Sequence, residues 1–137
     1  MVGAVIVTHG RLARELLDAT ERIVGRTEGI AAVSIDWDDD VAVARQQIQE
    51  TIETVNSGGG VLIFTDMFGG TPTNVSLAFL EQDEVEIITG VNLPMLIKLT
   101  SLQNASESLL GIAQQVRERG QKSVYVASEI LSSRQET

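Results

Sequence analysis

Short apolar runs alternate with stretches of helical period along this chain, and that alternation limits the folds open to it. Five runs are short and rich in Val or Ile, as buried strands are: residues 2–7, 30–35, 60–65, 85–89 and 123–127. The stretches between them repeat apolar residues every three or four positions, as amphipathic helices do. Strands that alternate with helices predict an α/β fold, in which helices cover both faces of a mostly parallel sheet.

The length of 137 residues suits one doubly wound domain, for which the flavodoxin-like strand order 2-1-3-4 is expected. We assign residues 1–127 to this domain, with 123–127 as a last strand at an edge of the sheet, and residues 128–137 to a C-terminal tail. In this order strands 1 and 3 are neighbours, and a crevice opens at their carboxyl ends. His9 follows strand 1 and Asp66 follows strand 3, so the order predicts that these side chains lie close together.

The charge of the chain narrows the classes of partner. A formal net charge of −9 argues against nucleic acids and anionic membrane surfaces, and it favours a partner with a basic face. There is no cysteine, which leaves no disulfide, thiol chemistry or cysteine-ligated metal. No apolar run approaches the length of a membrane-spanning helix or a signal-peptide core, and we expect a cytoplasmic protein.

A glycine loop, residues 66–74, connects the third strand to the next helix. Its adjacent glycines, Gly69 and Gly70, permit positive φ angles and the close approach of a ligand to the backbone. Thr71 is expected to cap the helix and Pro72 to occupy its first position, so that free N–H groups point toward an anion. A glycine loop without a Walker lysine is a weak signal alone, and an ordinary strand-to-helix turn explains it equally well.

His9, the single histidine, is the candidate for chemistry at this crevice, although a histidine at a strand end is often only a loop residue. Asp66 is placed to accept a hydrogen bond from one ring nitrogen, which leaves the other nitrogen as a nucleophile. One histidine and scattered acids lack the spacing of a metal site, and neither a G-x-S-x-G elbow nor a nucleotide-binding glycine motif occurs. Phosphoryl transfer to His9 fits best, because amides at a helix N-terminus stabilise its transition state, and it requires no metal or cofactor.

A two-component receiver domain is the rival interpretation, because that fold carries a phosphorylated aspartate at the end of strand 3, where Asp66 lies. Receivers hold Mg²⁺ with an acidic pair after strand 1, whereas this chain has Thr8 and His9 there. They also use a lysine after strand 5, and here the last predicted strand leads to Ala127 and Ser128. Both differences count against phosphorylation of Asp66.

Three motifs together resemble the enzyme IIA domain of the mannose-type (mannose/fructose/sorbose) phosphoenolpyruvate-dependent sugar phosphotransferase system. They are residues 5–10 (VIVTHG), residues 66–74 (DMFGGTPTN) and residues 90–96 (GVNLPML). The motifs occur in the order of that family, and the resemblance runs from about Met1 to Ala127. They are specific only in combination.

The resemblance implies roles for the residues of these motifs. His9 is the implied phosphoacceptor, which takes a phosphoryl group on Nε2 from the histidine phosphocarrier HPr, while Asp66 orients and stabilises the imidazole through Nδ1–H. By the same resemblance, the phosphoryl oxygens are bound by groups of the glycine loop, in Met67, Gly69, Gly70 and Thr71. The loop of residues 90–95 would help to shape the rim of the site.

The resemblance also implies partners. Members of the family pair as homodimers that exchange the last, antiparallel strand, here residues 123–127. The phosphoryl group then passes to a histidine of an enzyme IIB domain and on to a sugar during uptake. Many members carry IIB in the same chain, whereas this chain ends soon after Ala127, so we expect IIB on a separate chain.

A regulatory IIA protein, whose partner reads the phosphorylation state of His9, is the alternative. The phosphoryl donor subunit of dihydroxyacetone kinase fits less well, because it lacks the Asp-x-x-Gly-Gly-x-Pro form.

Overall fold

The computed structural model describes residues 1–135, with side chains described through residue 132. Within that range the strands are β1 (Gly3–His9), β2 (Ile30–Ile35), β3 (Val61–Thr65) and β4 (Val85–Ile88). The helices are α1 (Leu12–Val24), α2 (Val41–Val55), α3 (Thr71–Ser76), α4 (Leu93–Leu102), α5 (Leu109–Lys122) and α6 (Ala127–Gln135). A turn of 3₁₀ helix, Leu77–Phe79, extends α3.

The strands form one parallel sheet in the order β2-β1-β3-β4, which confirms the predicted doubly wound α/β fold. β1 is central, and its apolar residues are buried on both faces, as its nearly continuous hydrophobic sequence predicts. His9 ends β1 and pairs with Ile35 of β2, while Val7 pairs with Thr65, the last residue of β3. Three neighbouring strands therefore end at the same edge of the sheet.

Two apolar layers, one on each face of the sheet, form the core. Successive side chains of a strand point to opposite faces, so Ile6 packs with α1, α4 and α5, whereas Val5 and Val7 pack with α2. Each fully buried aliphatic side chain contributes roughly 1.5–3 kcal/mol relative to its exposure to water. This packing fixes the strand ends that carry the candidate site.

The start of α3 differs from the prediction by one residue. The sequence predicts Thr71 as the N-cap, but Gly70 has the extended backbone of the capping position and Thr71 is the first helical residue. Pro72 consequently occupies the second helical position, where it still lacks only an N–H that the helix does not use.

The predicted last strand, residues 123–127, is not formed in the described single chain. Val124, Tyr125 and Val126 are in irregular structure and are 76%, 68% and 60% exposed, and α6 begins at Ala127. A strand needs a neighbour that satisfies its backbone N–H and C=O groups, and within the described chain this segment pairs with no strand, although the outer edge of β4 is open. The tail, for which the sequence shows little pattern, is helical through Gln135, and its residues 136 and 137 lie outside the described residues.

Candidate functional site

His9 and Asp66 lie in contact at adjacent strand ends, as the strand order predicts. Nδ1 of His9 is 2.7 Å from Oδ2 of Asp66, although the two residues are 57 positions apart in the sequence. Both side chains are partly buried. The parallel pairing of β1 with β3 brings them together, which confirms that these side chains share one crevice.

The environment of Asp66 favours its ionised form. Oδ2 also accepts the backbone N–H of His9 at 3.0 Å, and Oδ1 accepts the N–H of Met67 at 3.0 Å. Burial raises the pKa of Asp66, but the hydrogen bonds from the backbone and ring of His9 outweigh it, and the net pKa lies below the usual carboxyl range. An ionised carboxylate only accepts hydrogen bonds, so we assign the ring proton of His9 to Nδ1 and the free lone pair to Nε2.

Gly70 lies against the Nε2 edge of the imidazole. A Cβ atom at this position would be 2.7 Å from Cε1 and 3.2 Å from Nε2 of His9, and the first distance is closer than real Cβ atoms approach. The angles of Gly70, φ −84° and ψ 172°, are open to any residue, so glycine is needed here for space beside the ring. Gly69 is the glycine of the pair that needs a positive φ, at 95°.

The glycine loop presents amide groups that the protein leaves without acceptors. Within the described residues, the N–H groups of Gly69 and Thr71 donate to no protein atom, whereas the Gly70 N–H closes a turn over residues 68 and 69 toward the Met67 carbonyl. The N–H of Met67 differs, because Asp66 accepts it. Free amides at a turn beside a helix start are suited to hold an anion, and here they belong to the loop that touches the Nε2 edge.

Two buried threonines fix the path of the loop. The Thr73 hydroxyl donates to the Met67 carbonyl at 2.5 Å and lies 2.6 Å from the Thr65 hydroxyl. Because a hydroxyl has one hydrogen, Thr65 is the donor in the second contact. Thr65 ends β3, so this chain of hydrogen bonds ties the glycine loop to the sheet.

Trp37 stacks on His9, a contact that no pattern in the sequence predicts. The ring centroids are 4.8 Å apart and the ring planes differ by 25°. Trp37 lies in the loop after β2, whose last residue, Ile35, pairs with His9. The sequence does place an aromatic residue just after β2, the strand next to β1 in the predicted order. An exposed loop residue shows no periodicity, however, so its position does not indicate that it contacts His9.

The loop of residues 90–95 borders a cavity beside β4. The cavity has a volume of about 580 Å³, and its lining includes residues from three loops and α5, among them Phe68, Gly90, Asn92, Arg117 and Val124. Asn92 caps α4 by accepting the N–H of Met95 at 3.1 Å, and the N–H of Val91 donates to the Thr65 carbonyl at 3.0 Å. The predicted rim loop is therefore anchored to the end of β3, next to the glycine loop.

Within the described part of the chain, no three His, Cys, Asp or Glu side chains are grouped so that they could hold a metal ion. Among the same residues, no helix combines the length and apolar character needed to cross a membrane. The pair of His9 and Asp66, with the glycine loop and Trp37 around it, is the site that the structure assembles.

A model of the EIIA-man family, described as "PTS system fructose IIA component", matches residues 3–117. The chain belongs to this family. The fructose-specific EIIA component of Bacillus subtilis (strain 168) is 26% identical over 132 residues, which are 96% of this chain and 90% of that protein. The mannose-specific EIIAB component of Escherichia coli (strain K12) is 26% identical over 124 residues, which are 90% of this chain but 38% of that protein.

A solved structure supports the same assignment. The PTS IIA protein associated with the fucose utilization operon from Streptococcus pneumoniae superposes with a TM-score of 0.82 at 27% identity, covering 95% of this chain and 96% of that one. As an EIIA protein, the chain is a component of a sugar phosphotransferase system, as its motifs predict. His9, Trp37, Asp66 and the glycine loop all lie within the residues that the family model matches.

Proposed function

We propose that this chain is a phosphocarrier that accepts a phosphoryl group from HPr on Nε2 of His9 and passes it to an enzyme IIB protein on a separate chain for sugar uptake. The observation that carries the proposal is the 2.7 Å contact between Nδ1 of His9 and Asp66. It leaves Nε2 as the nitrogen with a free lone pair, beside Gly70, which has no side chain to obstruct a phosphoryl group. Membership of the EIIA family supports the class of reaction.

The transfer step exchanges one N–P bond for another. The Nε2 lone pair attacks the phosphorus of the donor phosphohistidine, and the electron pair of the breaking N–P bond returns to the donor imidazole. The ring of His9 gains positive charge as its new bond forms, and the Nδ1 proton stays in its hydrogen bond to Asp66. The carboxylate therefore stabilises the ring most when the phosphoryl group is bound. Transfer to a histidine of enzyme IIB is the same exchange with the roles of the rings reversed.

The glycine loop supplies donors for the phosphoryl oxygens. The transition state spreads negative charge over the equatorial oxygens, and fixed N–H groups stabilise that charge without reorganisation. We assign this role to the amides of Gly69, Gly70 and Thr71 and to the Thr71 hydroxyl. Met67 acts indirectly, because its N–H holds Oδ1 of Asp66 and so orients the carboxylate.

The proposed partners follow from charge and from one exposed segment. A net charge of −9 suits partners that present a basic face around their own histidine, as we propose for HPr and IIB.

We also propose a homodimer in which residues 123–127 of each chain add an antiparallel strand to β4 of the other. Val124 lies at the cavity beside β4, so the segment is close to that edge. The proposal places the protein in the cytoplasm and requires no metal, cofactor, nucleic acid or membrane insertion.

Incubation with phosphoenolpyruvate, enzyme I and HPr, followed by mass spectrometry, tests the proposal. We expect the mass of one phosphoryl group to be added, in a linkage that is labile in acid and stable in base, and the His9→Ala variant to remain unmodified. A base-labile adduct that persists in His9→Ala would place the phosphoryl group on a carboxylate such as Asp66, as in a receiver domain. No adduct on the wild type would exclude the phosphocarrier function.

A second incubation distinguishes transport from regulation. Addition of a IIB protein to the purified phosphorylated chain should remove the adduct and label a IIB histidine. If no IIB protein accepts the group, and another protein binds only one phosphorylation state of His9, the regulatory alternative replaces the transport role.

A further inference from the structure

We propose that Trp37 is a positioning residue for phosphoryl transfer at His9: its indole holds the plane of the imidazole so that Nε2 points at the incoming phosphorus. The inference rests on the proposed function and extends it to a residue outside the motifs that carry the resemblance. Its basis is the stack of the two rings, with centroids 4.8 Å apart and planes 25° from parallel.

Trp37 contributes little to the core of the protein. Its side chain is 83% exposed, whereas aromatic residues that stabilise a core bury most of their surface. Removal of the indole should therefore leave the fold intact. An effect of such a change on phosphoryl transfer would be local to the site.

The loop that carries Trp37 is held in place by its own hydrogen bonds. The N–H of Asp36 donates to Oδ2 of Asp39 at 2.8 Å, and the N–H of Asp39 donates to the Asp36 carbonyl at 3.1 Å. These two bonds close a turn that contains Trp37. The N–H of Gly10 donates to the Ile35 carbonyl at 3.0 Å, which joins the segment after β1 to the end of β2. The backbone thus places the indole beside the imidazole without help from a partner protein.

The hydrogen bond to Asp66 restrains only one atom of the His9 ring. A ring held at Nδ1 can still tilt about that contact, and the tilt moves Nε2 out of line with the phosphorus. An aromatic partner against the ring face opposes the tilt, because a stacked pair loses contact when one ring turns. The negative face of the indole also attracts the positive charge that the imidazole gains as Nε2 forms its bond. The stack therefore stabilises the transition state more than the free site.

Substitutions of Trp37 test this role, with Val43→Ala as a control that truncates a 61% exposed side chain on α2. We expect Trp37→Ala to lower the maximal rate of transfer from phosphorylated HPr by about three- to tenfold, the range of a typical aromatic pair. The KM for HPr should stay unchanged. Trp37→Phe should restore most of the rate because it keeps a stacking ring, and Val43→Ala should match the wild type.

NMR measures the stack without any phosphoryl transfer, and the single histidine makes the assignment direct. The indole ring current should shift the ring-proton resonances of His9 upfield in the wild type; Trp37→Ala should abolish the shift and Trp37→Phe should keep part of it. Unshifted resonances in the wild type would overturn the inference. Shifted resonances with an unchanged rate, or an effect on the KM for HPr alone, would also overturn it. If wild-type protein accepts no phosphoryl group, the proposed function fails and the positioning role with it, whereas the NMR result still reports the stack.

Discussion

Oδ2 of Asp66 holds both the main chain and the side chain of His9. It accepts the backbone N–H at 3.0 Å and lies 2.7 Å from Nδ1 of the ring. The hydrogen bonds of one oxygen therefore link the loop after β1 to the end of β3 and orient the imidazole at the same time. A shift of the Asp66 carboxylate would move the backbone and the ring of His9 together.

The stability contributed by Asp66 should depend on pH. Its folded-state pKa lies below that of a carboxyl in the unfolded chain, so the contribution is complete above the unfolded pKa and is lost as the pH falls through the folded one. We expect Asp66→Asn to lower the free energy of unfolding at neutral pH and the difference from the wild type to shrink on acidification. Urea denaturation at a series of pH values measures this.

A surface ion pair provides the control for that experiment. Glu118 also has a lowered pKa because of the hydrogen bond from Lys122, but this i,i+4 pair is exposed to solvent on α5. Solvent screening should make the effect of Glu118→Gln much smaller than that of Asp66→Asn. A difference between wild type and Asp66→Asn that is constant through the acid range would contradict the assigned role of the carboxylate.

The two glycines of the loop should respond differently to alanine. At Gly70 the backbone tolerates alanine but the new Cβ collides with the imidazole, so phosphorylation of His9 should be strongly slowed while the free energy of unfolding changes by less than about 1 kcal/mol. At Gly69 no atom lies within 4 Å of the added Cβ, but φ is 95°, so alanine should cost about 1–2 kcal/mol through backbone strain. Denaturation curves and phosphorylation rates of both variants check the contrast. An active Gly70→Ala variant would show that the space beside Nε2 is not required.

Replacement of Thr73 by valine should loosen the loop and the site together. Valine keeps the shape but leaves the Met67 carbonyl without its donor and the Thr65 hydroxyl without its acceptor. We expect a loss of about 1–3 kcal/mol in the free energy of unfolding and a slower transfer to His9. Thr65→Val is the matched control, because it retains the bond from Thr73 to Met67 and should spare the transfer rate. Equal rates for Thr73→Val and the wild type would show that the threonine bond does not position the loop.

The exposed segment before α6 should be needed for dimerisation. In a strand, residues two apart share a face, so Val124→Asp combined with Val126→Asp places two charges on one face of the proposed exchanged strand. Sedimentation should show a dimer for the wild type and a monomer for this double variant. Val43→Asp, on exposed α2, should remain a dimer. A monomeric wild type would contradict the proposed exchange.

The parts of the site that follow from strand order could be predicted from the sequence. The alternation of strands and helices predicts that β1 and β3 are neighbours, and this alone places His9 beside Asp66. The packing of buried strands is decided by apolar residues that are visible in the sequence. The last segment could not be treated in this way, because Val124 and Val126 have the composition of a strand but the described chain gives them no pairing partner.

The finer features of the site depend on side-chain placement that no pattern encodes. The sequence predicts that the two glycines serve positive φ angles and close approach, but only the structure shows that Gly69 has the first role and Gly70 the second. The contact of Trp37 with His9 depends on the path of an irregular loop, and the position of the cap at Gly70 depends on one residue of that path.

The stack of Trp37 on His9 also has an experimental use. Trp37 is the single tryptophan of the chain, so the tryptophan emission of the protein, excited selectively over that of Tyr125, comes from the indole that touches the proposed phosphoacceptor. The emission of an excited indole is sensitive to nearby charge. A phosphoryl group on His9 would place negative charge on the imidazole ring against which Trp37 stacks. The fluorescence of the unlabelled protein should therefore follow the state of its histidine in real time.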